Sequence, residues 1–282
     1  MTTDQKTKAV WNGQWENLED LKIPVEDRAF YFGDGVYEVV RVYNGKPWLL
    51  KKHLARLRAS LDSLSIPITE LSSVENFARQ CISRNQIANG LIYIQISRGT
   101  SQRGHTFPKN ISPNVLAYAK NFLAEPWEKQ RTTGIKCISH DEIRWARRDI
   151  KSVNLLANCI AKQKAEDASA HEAIFVEKDG TVTEGSSNNV FVVRNNEILT
   201  HPANYSILNG ITRQHVIELT RSLSLNLNER TFSIGELLTA DEVFLSGTTS
   251  EIIHVASVDG QTIGHGSLPV YQKLRDAFTR SL

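Results

Sequence analysis

A β-hairpin that runs straight into a leucine stripe is the feature that most narrows the folds open to this chain. Residues 36–43 are rich in β-branched and aromatic side chains, Asn44-Gly45 closes them as a two-residue turn, and Pro47-Trp48-Leu49-Leu50 returns. From Leu50 the period changes. Leu50, Leu54, Leu57, Leu61 and Leu64 recur at spacings of four and three, one face of an amphipathic helix that stops before Pro67. A sheet and a helix joined this closely, each with one apolar face, call for a layered fold in which one covers the other.

The same grammar recurs. Ala9-Val10-Trp11 and Gln14-Trp15 flank the turn Asn12-Gly13, and a helix is predicted from a Ser72-x-x-Glu75 capping box through Val74, Phe77, Ala78 and Cys81 to about Asn89-Gly90. Strands follow at 91–97 and 115–118. A Pro- and charge-containing stretch at 121–134 reads as an interdomain linker, setting off a first domain at 1–120 from a second at 135–282. Beyond it lie strands at 135–138, 172–176, 181–184, 189–193 and 198–200, with helices after Lys151 and Thr212 and a last one from about 268. At 282 residues and 40% hydrophobic the chain can fill two cores, so the expectation is α+β in two domains.

Charge and cysteine usage bound the function. Thirty-three basic against thirty-one acidic residues leave +2, which speaks against nucleic acid as the main partner. Cys81, Cys137 and Cys159 form no metal-binding spacing and suit a reducing compartment, and Cys81 and Cys159 fall on apolar positions of predicted helices. The start Met1-Thr2-Thr3-Asp4-Gln5-Lys6 lacks an apolar signal core, and no run approaches the ~18 residues of a membrane span. These readings together predict a soluble cytoplasmic protein without a membrane partner.

The chemistry centres on Lys151. It stands between a short extended run and a helix with apolar positions Leu155, Leu156, Cys159 and Ile160, so its backbone is anchored while its amine can move. Ser152 and Asn154 are placed to bond amides at the helix start, and Arg147 and Arg148 upstream raise the local positive potential, which favours a neutral, nucleophilic amine. Glu184-Gly185-Ser186-Ser187-Asn188-Asn189 offers a carboxylate followed by small polar residues. Such a carboxylate can hold a ring nitrogen protonated, as a pyridine cofactor needs. Gly210-Ile211-Thr212-Arg213 opens a helix as an anion site does, and Ser246-Gly247-Thr248-Thr249-Ser250 adds hydroxyls and amides after a strand. The polar loop at 98–108, with Arg103 and His105 around Gly104, has a composition hard to justify as structure, and such loops are where function tends to sit.

Asp149-Ile150-Lys151-Ser152, Thr183 to Asn188, Asn209-Gly210-Ile211-Thr212-Arg213 and Thr248-Thr249-Ser250-Glu251 stand in the order and spacing of the fold-type IV pyridoxal-phosphate enzymes, which the chain resembles. Within that group it looks most like the D-amino-acid transaminases, from about residue 10 to 263. The discriminating pieces are Glu26-Asp27-Arg28, the run from Phe32 to Val40, and the loop 98–105. The resemblance implies a two-domain α+β fold with an N-terminal α/β domain and a C-terminal α+β pseudo-barrel domain, pyridoxal 5'-phosphate as cofactor, and a homodimer with shared active sites. It implies a Schiff base at Lys151, which also carries the proton, and a ring-nitrogen contact at Glu184. It further implies phosphate binding by Arg56, the Ile211 and Thr212 amides and Thr248, and Leu208 packed behind the ring. Tyr37, Arg103 and His105 would trap the substrate α-carboxylate, the last two from the neighbouring subunit.

The activity so implied is ping-pong transamination of D-amino acids with 2-oxo acids, D-alanine and 2-oxoglutarate giving pyruvate and D-glutamate. A branched-chain L-amino-acid aminotransferase and an aminodeoxychorismate lyase are the siblings on the same scaffold, and a non-catalytic cofactor-binding protein is the rival from another class. Two departures stand out: Gly247 where relatives commonly have a serine, and Asn188 where a third serine can occur.

Overall fold

Both Asn-Gly turns adopt the backbone that a tight hairpin requires. Asn12 and Gly13 have φ of 49° and 85°, Asn44 and Gly45 of 48° and 75°, so each pair twists with its flanking strands. The first pair joins β1 (Lys8–Trp11) to β2 (Gln14–Asn17); after α1 (Arg28–Phe32), the second joins β3 (Gly35–Tyr43) to β4 (Lys46–Pro47). Then come α2 (Leu50–Ser63), α3 (Ser72–Arg84), β5 (Gly90–Ser97) and β6 (Asn114–Asn121). The six strands pair antiparallel throughout in the order β2-β1-β6-β5-β3-β4. Val36, Val40 and Val42 of β3 share one core with Leu50, Leu54, Leu57 and Leu61 of α2. Each such leucine stabilises the fold by about 2 kcal/mol relative to leaving it in water.

The computed structural model describes residues 6–122 and 125–282, without the side chains of Glu125 and Pro126. The first five residues, which enter the reading of the N-terminus, and residues 123 and 124 of the stretch read as a linker lie outside the described residues. Two compact units result. One holds the residues up to 122 together with Ile150–Asn154, the other 125–149 and Leu155–Leu282.

The second unit opens with α4 (Glu125–Thr133), inside the stretch 121–134, and continues through β7 (Ile135–Asp141), α5 (Leu156–Asp167), β8 (Glu172–Val176), β9 (Val182–Gly185), β10 (Asn189–Arg194) and β11 (Glu197–Thr200). After these come α6 (Ile211–Ser222), β12 (Asn226–Glu229), α7 (Ile234–Leu238), β13 (Glu242–Gly247), β14 (Glu251–Val258), β15 (Gln261–Thr262) and α8 (Pro269–Arg280). Its strands form one mixed sheet in the order β12-β11-β10-β13-β14-β7-β8-β9, with β15 against β14. The parallel pairs are β11 with β12, β14 with β7 and β7 with β8. Two sheets in two units, each with its own apolar core, make the chain α+β.

Several local expectations change. The Ser72-x-x-Glu75 box does not form, because Leu71 is already the N-cap and Ser72 lies inside the helix, its hydroxyl donating to Glu70. The same signature closes a true box at Ser233 and Glu236, on a five-residue helix too short to show a period. Helix α3 ends at Arg84 rather than near Gly90. Helix α5 buries Ala161 and Ala165, leaving Leu156, Cys159 and Ile160 exposed on this chain, so Cys159 is no core thiol. Its N-cap is Leu155, and neither Ser152 nor Asn154 caps it; Asn154 instead donates to the Gly33 carbonyl. No helix among the described residues is long and apolar enough to cross a membrane.

Candidate active site

Strand β4 is two residues long and covers only the Tyr43 end of β3, leaving the Gly35 end of that strand as an open edge. The chain returns to fill it. Tyr37 N–H donates to the Lys151 carbonyl (3.0 Å), Val153 N–H donates to the Gly35 carbonyl (3.0 Å), and Val36 bridges Ser152. Ile150 is buried in the first core, and Lys151 N–H donates to Ser60 Oγ of α2. Lys151 is thus fixed at its backbone by strand pairing. Its Nζ lies 3.3 Å from Tyr37 Oη and 4.3 Å from the centre of that ring. Tyr37 stacks on Tyr93, which stacks on Tyr118, so the phenol is held in a row of rings across β3, β5 and β6.

The next residue on β3 points to the other face. Glu38, fully buried, accepts from Arg56 Nε (2.7 Å) and Nη2 (2.8 Å) and from His53 Nδ1 (2.7 Å), both on α2. Burial opposes its charge, yet the Arg56 guanidinium and then His53 outweigh burial and hold the carboxyl at about 2. Burial also lowers the pKa of His53, against the opposing pull of Glu38.

Arg103 and His105 both rest against Phe32, at 5.4 and 5.7 Å, and both are exposed. Their loop is tied from below. Arg28 donates to the Gly104 carbonyl (2.7 Å) and to Asp34 (2.7 Å), and Asp34 also receives Arg98 (2.8 Å), whose guanidinium lies over the Phe107 ring. No hydrogen bond joins Tyr37 to Arg103 or His105 among the described residues.

In the second unit Glu184, next to last in β9, is a buried carboxylate with three donors. Arg144 Nη1 reaches Oε1 (2.6 Å), while Asn189 Nδ2 (3.0 Å) and the Leu208 N–H (3.1 Å) reach Oε2. Burial raises its pKa in spite of Arg144. Arg144 is itself aimed by Glu142, which it meets through Nε (2.9 Å) and Nη2 (2.6 Å), and its guanidinium covers the Phe175 ring at 4.2 Å. Asn189 also donates to the Leu208 carbonyl (2.8 Å), and its Oδ1 occupies the space a Cβ at Gly210 would need. Gly210 is the N-cap of α6 and brings no side-chain cap, so the Ile211 and Thr212 amides begin a helix whose positive end is unblocked by its own cap residue. Thr248 stands half-buried in the turn from β13 to β14. The neighbouring arginines do not supply the bare positive field expected of them: Arg147 binds Asp149 at 2.9 Å and Arg148 binds Glu177 at 2.6 Å.

A family model described as amino-transferase class IV matches residues 35–258, from the start of β3 to the end of β14. The chain belongs to the class IV aminotransferases. It is 42% identical over 277 residues to the D-alanine aminotransferase of Bacillus licheniformis, covering 98% of this chain and 97% of that one. It is 37% identical to the D-alanine aminotransferase of Staphylococcus haemolyticus, over 97% of each. Among solved structures, the branched-chain amino acid aminotransferase of Escherichia coli is similar with a TM-score of 0.92 at 28% identity, covering 98% of this chain and 94% of that one. The branched-chain amino acid aminotransferase of T.th., solved with pyridoxamine 5'-phosphate, has a TM-score of 0.89 at 28% identity, with the same coverage.

For a class IV aminotransferase of this sequence, the residues that aim the site are less visible than those expected to react. Arg28, Asp34, Glu38 and Asn189 lie inside stretches the sequence already marks, but no motif pairs Arg144, Glu142 and Asn189 with Glu184, Glu38 and His53 with Arg56, or Arg28 and Asp34 with the 103–105 loop. For one of these pairings a physical signal exists in the sequence. Glu38 is a lone carboxylate at a core-facing position of a β-branched strand, which demands a buried partner.

Proposed function

We propose that this class IV aminotransferase transfers the amino group between D-amino acids and 2-oxo acids, taking D-alanine and 2-oxoglutarate to pyruvate and D-glutamate. Its cofactor is pyridoxal 5'-phosphate, and the residues present suit that group. Glu184 is a buried carboxylate held by three donors, α6 starts without a side-chain cap, and Lys151 offers a primary amine. The observation that carries the reading is the Lys151 amine held 3.3 Å from the Tyr37 hydroxyl by a backbone locked into the sheet edge. When bound, the cofactor supplies an electron sink for the bond broken at the substrate Cα.

The chain's own residues do the rest. Lys151 would hold the cofactor through its amine and, once free, would carry the proton from the substrate Cα across the intervening nitrogen to the cofactor carbon C4′. Glu184 would accept from the pyridine nitrogen, with Arg144, Asn189 and the Leu208 amide keeping its oxygens in place. Arg56, the Ile211 and Thr212 amides and Thr248 would hold the phosphate, and Leu208 would lie against the ring. Tyr37 with Arg103 and His105 fixes the α-carboxylate. In this reading the latter two serve the neighbouring subunit of a homodimer, which accords with their exposure on Phe32. A carboxylate fixed on one side directs the Cα hydrogen of a D-substrate toward Lys151 and that of an L-substrate away. The first oxo acid leaves before the second substrate enters, a ping-pong order. The cytoplasm is the compartment that an odd, unpaired set of three cysteines fits.

The branched-chain alternative is favoured by the likeness to the Escherichia coli structure, but at 28% identity against 42% for the D-alanine enzyme. One absorption experiment separates them. With no acceptor present, D-alanine is expected to bleach the cofactor's visible band and L-leucine to leave it. Bleaching by L-leucine alone assigns the branched-chain activity, and no band after adding pyridoxal phosphate removes the reading.

A further inference from the structure

The two sequence departures, Asn188 and Gly247, meet in space. Asn188 sits in the loop between β9 and β10, Gly247 at the end of β13, and a Cβ built on Gly247 would fall inside the van der Waals surface of Asn188 Oδ1 and 3.0 Å from Ser250 Oγ. The backbone at Gly247 is not in the left-handed region, so conformation does not demand glycine there. Space does. The amide that fills this space is bonded at both ends. Asn188 Oδ1 accepts from Ser250 Oγ (2.7 Å), and Asn188 Nδ2 donates to Glu172 Oε2 (2.5 Å). Glu172 is buried on β8 and gathers the rest of the loop. It accepts from Ser186 Oγ, from Ser187 Oγ (2.8 Å) and from the Ala173 N–H (2.9 Å).

We propose that Asn188 is a positioning residue for cofactor binding that depends on the absence of a side chain at Gly247 and ties the loop following Glu184 to the turn carrying Thr248. The proposal rests on the reading above, in which Glu184 meets the ring nitrogen and Thr248 the phosphate. One amide then sets the distance between a group for each end of the cofactor. A serine at 247 could not supply that link while Asn188 keeps its place, because its Cβ and Asn188 Oδ1 claim the same volume. A serine at 188 would shorten the side chain and lose the reach to Ser250 and Glu172 together. The two positions therefore suit each other, and a change at either alone is worse than a change at both.

The test is a double-mutant cycle with Asn188→Ser, Gly247→Ser and the pair, read as the dissociation constant of pyridoxal phosphate titrated into cofactor-stripped protein, with the thermal midpoint of the stripped protein as a second readout. Each single variant is expected to weaken cofactor binding about tenfold, the loss of one to two hydrogen bonds. The double variant is expected within about threefold of the unmodified protein, since it removes the clash and adds a hydroxyl. The midpoint of the stripped protein should follow the same non-additive pattern with a smaller spread. Affinities that multiply, so that the double variant loses about a hundredfold, overturn the proposal, as does a Gly247→Ser variant that binds normally. If the unmodified protein itself takes up no pyridoxal phosphate, the underlying reading fails, and the positioning role with it.

Discussion

Two buried carboxylate–arginine clusters, one from each unit, are wired in opposite senses. In the first, Glu38 gives both oxygens to the single guanidinium of Arg56, with His53 as a buttress, and its carboxyl sits at about 2. In the second, Arg144 is gripped by Glu142 and extends its remaining reach to Glu184, whose second oxygen is held by Asn189 and the Leu208 amide while burial raises its pKa. The carboxylate serves the arginine in the first cluster, and the arginine serves the carboxylate in the second. Which partner is immobilised by a third group decides which one is presented for work.

Replacement of Lys151 by alanine sets the ceiling for both clusters: turnover should disappear, and a normal rate would remove the amine chemistry altogether. Glu184→Gln comes next. With cofactor saturating, kcat should fall by about two to four orders of magnitude if Glu184 has the proposed role, because an amide cannot hold a ring nitrogen protonated. Glu38→Gln should do the reverse. It should weaken pyridoxal phosphate binding about 10- to 100-fold through loss of a charge-assisted pair on Arg56, and leave kcat at saturating cofactor close to normal. Equal losses of kcat in these two variants would break the comparison.

The smallest effect is on stability, and its sign differs between the clusters. Glu38 has a folded value of about 2 against an ordinary 4.5, so its stabilisation is present above 4.5 and is lost as pH falls toward 2, about 3 kcal/mol in all. His53, lowered from 6.5, works in the same direction, since the unfolded chain takes its proton first. Glu184 is raised from 4.5, so its ionisation costs stability above its folded value, and acid relieves that cost. Melting curves between about pH 3 and 7 should therefore fall less steeply toward acid in Glu38→Gln than in the unmodified protein, and more steeply in Glu184→Gln. Parallel slopes in all three would mean that the two carboxylates are not oppositely poised.

Much of the fold could be read from local physics. The Asn-Gly hairpins, the leucine stripe of α2 and the strands at 91–97, 172–176 and 189–193 rest on periods and turn residues that act within a few positions. Reading failed where the deciding neighbour was distant. Cys159, Leu156 and Ile160 look like a core face, but the side of α5 that packs in this chain is the alanine side, Ala161 and Ala165. Ser72 and Glu75 have the spacing of a box, yet the helix begins one residue too early for it.

By itself the sequence determined the α+β class, the lysine on which the proposed chemistry turns and the four motifs around it, because these are set by residue type and by spacing along the chain. Tertiary structure alone decided how each is aimed. It brings 150–153 onto the open edge of β3, turns Arg144 toward Glu184 and sets Asn188 into the gap at Gly247, pairings separated by 40 to 114 residues. Hydrogen bonds of about 3 Å discriminate among such pairings, but they exist only after the strands have registered, and no spacing in a linear chain encodes that register.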